Sequence, residues 1–137
     1  MRLFVDLDGV LADFAAHYER HIGVAIRRDG PEPPDLWENI RTRPNWFNEL
    51  PVLPGALDFW SAMLPYNPTL LSGVNYTELP ESVPDKRAWV DRHLGPEVPL
   101  ITCRSSEKRL YGKPGDILVD DWPKYRKRWE KMGGIFI

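Results

Sequence analysis

The chain has 137 residues, and its 18 lysine and arginine residues against 20 acidic residues give a formal net charge of −2. This length predicts a single domain with a core large enough to fold without disulfides. The balanced charge excludes a strongly basic nucleic-acid-binding module. Because apolar runs never exceed three residues, no membrane-spanning helix or signal peptide is expected. The single cysteine, Cys103, favours a cytoplasmic location.

The first part of the chain predicts one strand, one helix and an irregular insertion. Residues 3–5 are apolar on both faces, as in a buried parallel strand. Apolar residues at helical spacing follow from Val10 to Ile22, and Gly23 can end that helix. Five prolines interrupt the pattern between 24 and 53, so we interpret this stretch as a small insertion with one or two short helices.

The rest of the chain predicts helices alternating with strands, which favours an α/β fold with a parallel sheet. Helices are predicted over 54–64, 82–94 and 123–132, and strands over 69–71, 98–102, 117–119 and 135–137. The first of these helices has Leu57, Trp60 and Leu64 on one face. Ser82 and Asp85 have the spacing of a capping box at the start of the second.

Three of the predicted strands are followed by polar residues of types that take part in catalysis or bind metals. Asp6 and Asp8 follow the first strand, Ser72 follows the second, and Asp120 and Asp121 follow the fourth. Ligands of open α/β sheets bind at the carboxyl ends of parallel strands, so we expect these side chains to converge. Carboxylates at such short distances from one another repel, so the site calls for a cation. Hard oxygen ligands of this kind favour Mg²⁺. Lysines that can complete a phosphoryl-transfer site are Lys86, Lys108 and Lys113.

The ordered motifs resemble the haloacid dehalogenase (HAD) superfamily, and within it the 5'(3')-deoxyribonucleotidase branch. Residues 6–14, Asp-Leu-Asp-Gly-Val-Leu-Ala-Asp-Phe, resemble the first motif of that superfamily. Further matching segments follow in order at 50–57, 70–72, 86–90 and 117–121. A single segment is weak evidence, but the ordered set spans nearly the whole chain and is specific.

This resemblance implies a three-layer α/β/α sandwich with a mainly parallel, Rossmann-like sheet. The strand that precedes Asp6 would lie centrally, flanked by the strands that precede Asp120 and Ser72. We expect one domain over 1–137, with a small helical cap inserted at about 15–52.

The resemblance also implies the catalytic residues. Asp6 would be the nucleophile that forms an aspartyl-phosphate, and Asp8 would act as general acid and base. Ser72 would donate a hydrogen bond to the phosphoryl group, and Lys108 would neutralise its charge. We prefer Lys108 to Lys113 because Lys108 lies in the segment that directly follows the third strand.

Metal and phosphate contacts follow from the same resemblance. Mg²⁺ would be held by Asp6, by the backbone carbonyl of Asp8 and by Asp120. Asp121 would bind it through water or orient the other ligands. The remaining expected phosphate contacts are the backbone amide of Gly9 and the side chain of Lys86.

Aromatic residues supply the other candidate substrate contacts, Phe14 in the first motif and Trp46 in the insertion. Trp37, Trp46 and Phe47 have two interpretations. They form either the core of the cap or a wall that stacks on a base or another flat group.

The leading functional interpretation is a Mg²⁺-dependent phosphomonoesterase, specifically a small 5'-nucleotidase acting on nucleoside monophosphates. A polynucleotide 3'-phosphatase or a sugar phosphatase would use the same chemistry, and the basic last helix and aromatic cap suit such substrates. A phosphate-sensing or receiver-like domain is the non-enzymatic alternative, but the third strand lacks the aspartate that receivers phosphorylate. No membrane partner is expected, and the oligomeric state is open.

Overall fold

The computed structural model describes residues 1–27 and 30–137, and its centre is a five-stranded parallel sheet. The strands are β1 (Leu3–Val5), β2 (Thr69–Gly73), β3 (Leu100–Cys103), β4 (Ile117–Val119) and β5 (Ile135–Phe136). Their spatial order is β3-β2-β1-β4-β5, and every neighbouring pair is parallel. The predicted α/β class is therefore confirmed, as is the central position of β1 between β2 and β4.

Helices flank the sheet. The α-helices are α1 (Phe14–Ile22), α2 (Leu36–Arg41), α3 (Ala56–Met63), α4 (Ser82–His93) and α5 (Arg126–Lys131). Short 3₁₀ segments cover Leu64–Tyr66, Ser105–Tyr111 and Pro123–Tyr125. None of the helices in the described part of the chain is long and apolar enough to cross a membrane. The cytoplasmic location stays a prediction.

The first helix begins later than the apolar spacing predicted. The amides of Leu11 and Ala12 both donate to the carbonyl of Leu7, at 2.9 and 3.0 Å, and close a tight loop after β1. Asp13 then caps α1, because its carboxylate accepts from the amide of Ala16 at 3.1 Å. The residues before Phe14 thus form a loop that connects the strand-end aspartates to the helix.

Two details of the predicted helices are wrong. Ser82 lies within α4 instead of capping it, because its hydroxyl donates to the carbonyl of Leu79 at 2.7 Å. On α3 the core contact is made by Trp60, which is 5% exposed, whereas Leu57 and Leu64 are about half exposed. The α-helix passes into a 3₁₀ helix at Leu64, so α3 presents a narrower stripe to the core than its apolar residues suggested.

Apolar side chains pack on both faces of the sheet. Val5 faces the larger cluster, which includes Tyr18 of α1 and Trp89 of α4. Phe4, on the opposite face, packs with Trp129 of α5, and their ring centroids are 5.8 Å apart. This alternation along β1 explains why a three-residue strand can be apolar throughout.

The segment between α1 and α3 packs onto the larger cluster. Leu36 and Ile40 of α2 are buried there, and Asn39 donates to the hydroxyl of Tyr18 at 3.0 Å. The indole of Trp89 donates to the carbonyl of Leu50 at 2.7 Å. The inserted segment is therefore held at the carboxyl side of the sheet by contacts with α1, through Tyr18, and with α4, through Trp89. Its separation from the core as a cap over about 15–52 stays a prediction.

Asp116 joins the start of the chain to the start of β4. Its carboxylate is 3% exposed and accepts from the amide of Arg2, the guanidinium of Arg2 and the amide of Lys113, at 2.8 to 3.2 Å. Burial alone would raise the pKa of Asp116, but these hydrogen bonds outweigh burial and hold that pKa below its ordinary value. The bonded form of Asp116 is therefore the charged one.

We expect Asp116→Asn to lower the free energy of unfolding by about 2 kcal/mol, because at least one buried amide loses a charged acceptor. Asp91→Asn is the matched control, since it removes an exposed ion pair with Arg87 and costs about 0.5 kcal/mol. A depressed pKa stabilises the fold above the unfolded pKa, and that stabilisation is lost as the pH falls through the folded pKa. The deficit of Asp116→Asn should thus be constant near pH 7 and shrink below about pH 4 in chemical denaturation. A deficit that is unchanged at pH 3 contradicts this account.

Candidate active site

The register of the parallel strands brings the strand-end residues together. Val5 pairs with Val119, so Asp6 and Asp120 leave the sheet side by side. The amide of Asp6 donates to the carbonyl of Val119 at 2.9 Å and extends the pairing by one residue. Ser72, in β2 on the other side of β1, is completely buried. The three polar side chains predicted from separate strands therefore lie at one edge of the sheet.

Gly9 allows the loop after β1 to lie against the loop after β4. Its φ of 85° is in the left-handed region, and a Cβ atom at this position would collide with the carboxylate of Asp121. The amide of Gly9 donates to the carbonyl of Ala12 at 2.8 Å. The structure therefore gives Gly9 a role in the shape of the site, and its amide donates within the loop. The predicted contact of that amide with phosphate stays a prediction.

Lys108 links the two acidic loops. It is 7% exposed, and its Nζ lies 3.0 Å from Asp6 Oδ1 and 3.0 Å from Asp120 Oδ2. Burial lowers the pKa of Lys108, but the two carboxylates outweigh burial and raise it, so the ammonium form is secured. Two of the three ammonium hydrogens are directed to carboxylates, which leaves one for a further acceptor. Lys113 does not line the cavity.

Lys86 is more deeply buried and organises the other side of the site. Its Nζ lies 2.9 Å from Asp8 Oδ2, 2.8 Å from Ser72 Oγ and 2.7 Å from the carbonyl of Gly73. The ring of Phe47 covers it, with the centroid 4.8 Å from Nζ. All three ammonium hydrogens are thus used within the protein. Lys86 therefore positions Asp8 and Ser72. It also lines the cavity, and its direct contact with phosphate stays a prediction.

Asp8 has one oxygen that the fold leaves unbonded. Its Oδ2 pairs with Lys86, whereas its Oδ1 is buried without a hydrogen-bond partner among residues 1–27 and 30–137. A buried carboxylate oxygen without a donor is unfavourable by about 1–3 kcal/mol. A substrate oxygen that carries or receives a proton would satisfy it.

Asp6, Asp120 and Asp121 form the acidic cluster, in which one carboxylate oxygen from each residue lies within 4.8 Å of the others. Burial raises the pKa of Asp6 well above its ordinary value; Lys108 opposes this rise, and the charges of Asp120 and Asp8 add to it. Such a set of oxygen donors suits a hard divalent cation. Three of the predicted metal residues are therefore brought together, whereas Lys86 pairs with the side chain of Asp8. A metal contact through the backbone carbonyl of Asp8 stays a prediction.

These residues line a cavity of about 540 Å³ that continues between the sheet edge and the inserted segment. Phe14, Trp37 and Phe47 contribute its apolar walls. A cavity of this size, with few polar groups at one end, is typical of a small-molecule site. The predicted contact of Phe14 with substrate is thus compatible with its position.

Trp46 lies elsewhere. It is 4% exposed and does not line the cavity. Its ring packs against the rings of His17 and Phe14, with centroids 4.4 and 6.0 Å away. Of the two interpretations of the aromatic residues, the core role fits Trp46 and the wall role fits Phe47. The structure gives no support for a contact between Trp46 and substrate.

The sequence reasoning missed a second group of cavity residues that follows β3 and β4. They include Arg104, Arg109, Trp122, Lys124, Tyr125 and Arg128. No motif marks these positions. The one available signal was the clustering of basic residues in the last helix, which is more often a solvated face.

A central β1 followed by an Asp-Leu-Asp loop, with a buried lysine and a second acidic pair beside it, defines a phosphatase of the HAD class. The chain is 32% identical to a candidate 5'(3')-deoxyribonucleotidase of Bordetella bronchiseptica, in an alignment of 154 positions that covers 96% of this chain and 82% of that protein. It is 29% identical to the human cytosolic 5'(3')-deoxyribonucleotidase, covering 88% of this chain and 70% of that protein. The human mitochondrial 5'(3')-deoxyribonucleotidase is also 29% identical, over 90% of this chain and 63% of its own length.

No protein-family model matches the chain. The similarity to these relatives nevertheless extends over nearly all of it, and the chain belongs to the 5'(3')-deoxyribonucleotidase family, a branch of the HAD superfamily. Membership of this family makes it an enzyme, a phosphoric monoester hydrolase. The receiver-like alternative is therefore set aside.

Gly9→Ala should abolish most phosphatase activity, because the added methyl group displaces the Asp121 carboxylate in addition to straining the backbone. Gly23→Ala is the matched control: its φ is 88°, and a Cβ there meets no atom within 4 Å. Both variants should lose about 1–2 kcal/mol of stability from the left-handed conformation. Phosphate release and thermal melting, measured together, separate the two effects. Equal activity in the two variants would refute the role of the contact between Gly9 and Asp121.

Proposed function

We propose that the protein is a Mg²⁺-dependent 5'-nucleotidase that releases phosphate from nucleoside monophosphates through an aspartyl-phosphate intermediate. One observation carries the proposal: four carboxylates and two buried ammonium groups meet at the carboxyl edge of a parallel sheet. The relatives named as deoxyribonucleotidases support a nucleotide as the substrate. The apolar walls formed by Phe14, Trp37 and Phe47 suit a flat base.

The first step is the attack of an Asp6 carboxylate oxygen on phosphorus. A bond forms between that oxygen and phosphorus while the bond from phosphorus to the nucleoside oxygen breaks. Asp8 gives a proton to the departing oxygen through Oδ1, the oxygen without a partner in the described chain. The products of this step are the free nucleoside and phosphorylated Asp6.

The second step hydrolyses the aspartyl-phosphate. Asp8, now deprotonated, takes a proton from a water molecule as that water attacks phosphorus. The bond between phosphorus and the Asp6 oxygen breaks, which releases inorganic phosphate and restores the carboxylate. Asp8 regains its proton in this step and is ready for the next substrate.

Lys108 and Ser72 hold the phosphoryl group during both steps. The third hydrogen of the Lys108 ammonium group is available for a phosphoryl oxygen, since the other two are directed to Asp6 and Asp120. Ser72 is completely buried behind the cavity lining and accepts from Lys86. Its hydroxyl hydrogen has no acceptor among the described residues and would be donated to a phosphoryl oxygen. Lys86 acts through these neighbours as a positioning residue.

The residues fit a bound Mg²⁺. Asp6, Asp120 and Asp121 offer carboxylate oxygens within 4.8 Å of one another, and a divalent cation would offset the repulsion among them. Asp6, Asp120 and Asp121, together with the carbonyl of Asp8, would hold the ion. When bound, it supplies positive charge for the phosphoryl oxygens.

Asp6→Asn should reduce phosphate release by about 10⁴-fold or more, because the amide is not a nucleophile. The assay uses Mg²⁺ with ribo- and deoxyribonucleoside 5'- and 3'-monophosphates and with sugar phosphates. Asp13→Asn is the matched control, since this carboxylate lies in the same motif but caps α1.

Acid quenching followed by peptide mass analysis should find the phosphoryl group on Asp6 in the wild type. Asp8→Asn should slow turnover by about 10²–10⁴-fold, since the leaving oxygen and the water both lose their proton partner. Full activity of Asp6→Asn, or release that does not require a divalent cation, contradicts the proposal.

Mg²⁺ should raise the melting temperature of the wild type, because an ion that binds only the folded state stabilises it by mass action. The shift should be smaller in Asp120→Asn, which removes one donor of the acidic cluster. Asp58→Asn, which changes an exposed carboxylate on α3, should keep the full shift. An equal shift in all three proteins would place the bound ion elsewhere.

A further inference from the structure

One part of the cavity wall is strongly cationic. It is formed by the chain that follows β3 and by the chain that follows β4. We use the name cationic wall for four side chains that line the cavity there: Arg104, Arg109, Lys124 and Arg128. The protein as a whole has a net charge of −2, so this wall is a local concentration of positive charge.

None of these four cations has an ion-pair partner in the part of the chain that the structure describes. Arg109 and Arg128 donate to the carbonyl of Ser106, at 2.6 and 3.2 Å, and Arg104 makes no hydrogen bond with its side chain there. By contrast, Arg126, which lies in α5 but not on the cavity, pairs with Glu130 at 2.8 Å. Unlike Lys86 and Lys108, which also line the cavity but pair with Asp8, Asp6 and Asp120, these four cations face it without a carboxylate partner in the described chain.

Aromatic rings hold part of the cationic wall beside the acidic cluster. The backbone amide of Trp122 donates to Asp120 Oδ1 at 3.0 Å, which attaches this ring next to the acidic cluster. Lys124 Nζ lies 5.1 Å from the centroid of Trp122, and the Arg128 guanidinium lies 5.0 Å from that of Tyr125. The cations are thus placed on the cavity by contacts that leave most of their N–H groups free.

The transferring phosphoryl group does not need these charges. In the proposed reaction its charge is met by Lys108 and by a cation that the acidic cluster would hold. Four further cations that line one cavity repel one another and favour an anion between them. Guanidinium groups in particular match the oxygens of a phosphate.

We propose that the cationic wall binds a second phosphate of the substrate. The preferred substrates then carry a phosphate or phosphodiester in addition to the one that is hydrolysed. This inference rests on the proposed nucleotidase function and narrows its substrate class. The second phosphate belongs either to a nucleoside bisphosphate or to the next residue of an oligonucleotide.

The test compares kcat/KM for three substrates that share one base: a deoxyribonucleoside 5'-monophosphate, its 3',5'-bisphosphate and a 5'-phosphorylated trinucleotide. We expect at least one of the two larger substrates to exceed the monophosphate by about tenfold or more. Its kcat/KM should also fall more steeply with salt than that of the monophosphate, because salt screens the added contact between phosphate and the cations. Preference for the bisphosphate indicates a small-molecule substrate, and preference for the trinucleotide indicates a strand end.

Arg104→Gln and Arg128→Gln should each reduce this preference severalfold, because each removes a charged donor for the second phosphate. Lys127→Gln is the matched control, since this exposed residue lies in α5 next to Arg128 but does not line the cavity. Circular dichroism of Arg104→Gln should match the wild type, because the side chain makes no hydrogen bond within the described chain. The deciding quantity is the ratio of kcat/KM for the larger substrate to kcat/KM for the monophosphate. A ratio near one in the wild type, or the same ratio in all the variants, overturns the inference.

A binding measurement tests the cationic wall independently of the proposed reaction. Calorimetry on the Asp6→Asn protein with the monophosphate and the bisphosphate measures the second-phosphate contact without turnover. Tighter binding of the bisphosphate, lost in the Asp6→Asn/Arg104→Gln double variant, supports the cationic wall even if no phosphate release is detected. Release of phosphate from the monophosphate with equal binding of both ligands rejects the wall and retains the nucleotidase.

Discussion

Mutual repulsion among carboxylates at one edge of the sheet is the constraint on which the rest of the structure depends. Three of them have oxygens within 4.8 Å of one another. At an effective dielectric constant of 20, two unit charges at that distance repel by about 3.5 kcal/mol. Lys86 and Lys108 offset part of this repulsion from buried positions. Without these two lysines the acidic edge would expand or take up protons instead of presenting a nucleophile.

The two lysines do different work because their hydrogens are used differently. Lys86 lies in α4 and donates all three of its ammonium hydrogens, to Asp8, to Ser72 and to the backbone of Gly73. Lys108 comes from the segment after β3 and keeps one for an acceptor in the cavity. Both elements belong to the part of the chain that runs from β2 to β4. The two ammonium groups of the site therefore come from the crossover connections of the parallel sheet, whereas its carboxylates come from the loops at the strand ends.

The surroundings of this edge decide which phosphate ester can reach it. Phe47 covers Lys86 and also lines the cavity, so the inserted segment is part of both the site's interior and its apolar wall. The cationic wall lies on the chain after β3 and β4, and Trp122 connects it to the acidic cluster through Asp120. An apolar wall and a charged wall in one cavity suit a substrate with a flat, apolar part and more than one anionic group.

Much of this could be predicted from local sequence. Apolar runs that end in Asp6, Ser72 and Asp120 located three strands and the edge where their ends meet, because ligands of parallel sheets bind at the carboxyl ends of the strands. The order of these strands came from the family resemblance. The choice of Lys108 over Lys113 also followed from its place after the third strand. Capping and the exposed faces of helices were less certain, since they depend on neighbours that the local pattern does not contain. Ser82 is an example: its hydroxyl donates a hydrogen bond to the carbonyl of Leu79 and does not cap the helix.

The sequence by itself therefore determined the fold class, the acidic residues and the family resemblance. Only the tertiary structure decided which lysine keeps a free hydrogen, that Trp46 packs in the core while Phe47 faces the cavity, and that Gly9 must lack a side chain because of Asp121. It alone also brought Arg104 and Arg128 to one wall, although 24 positions separate them in the chain. The physical reason is range: strand patterns and motifs arise from neighbours in the chain, whereas the sharing of hydrogen bonds and charges depends on distances set by packing.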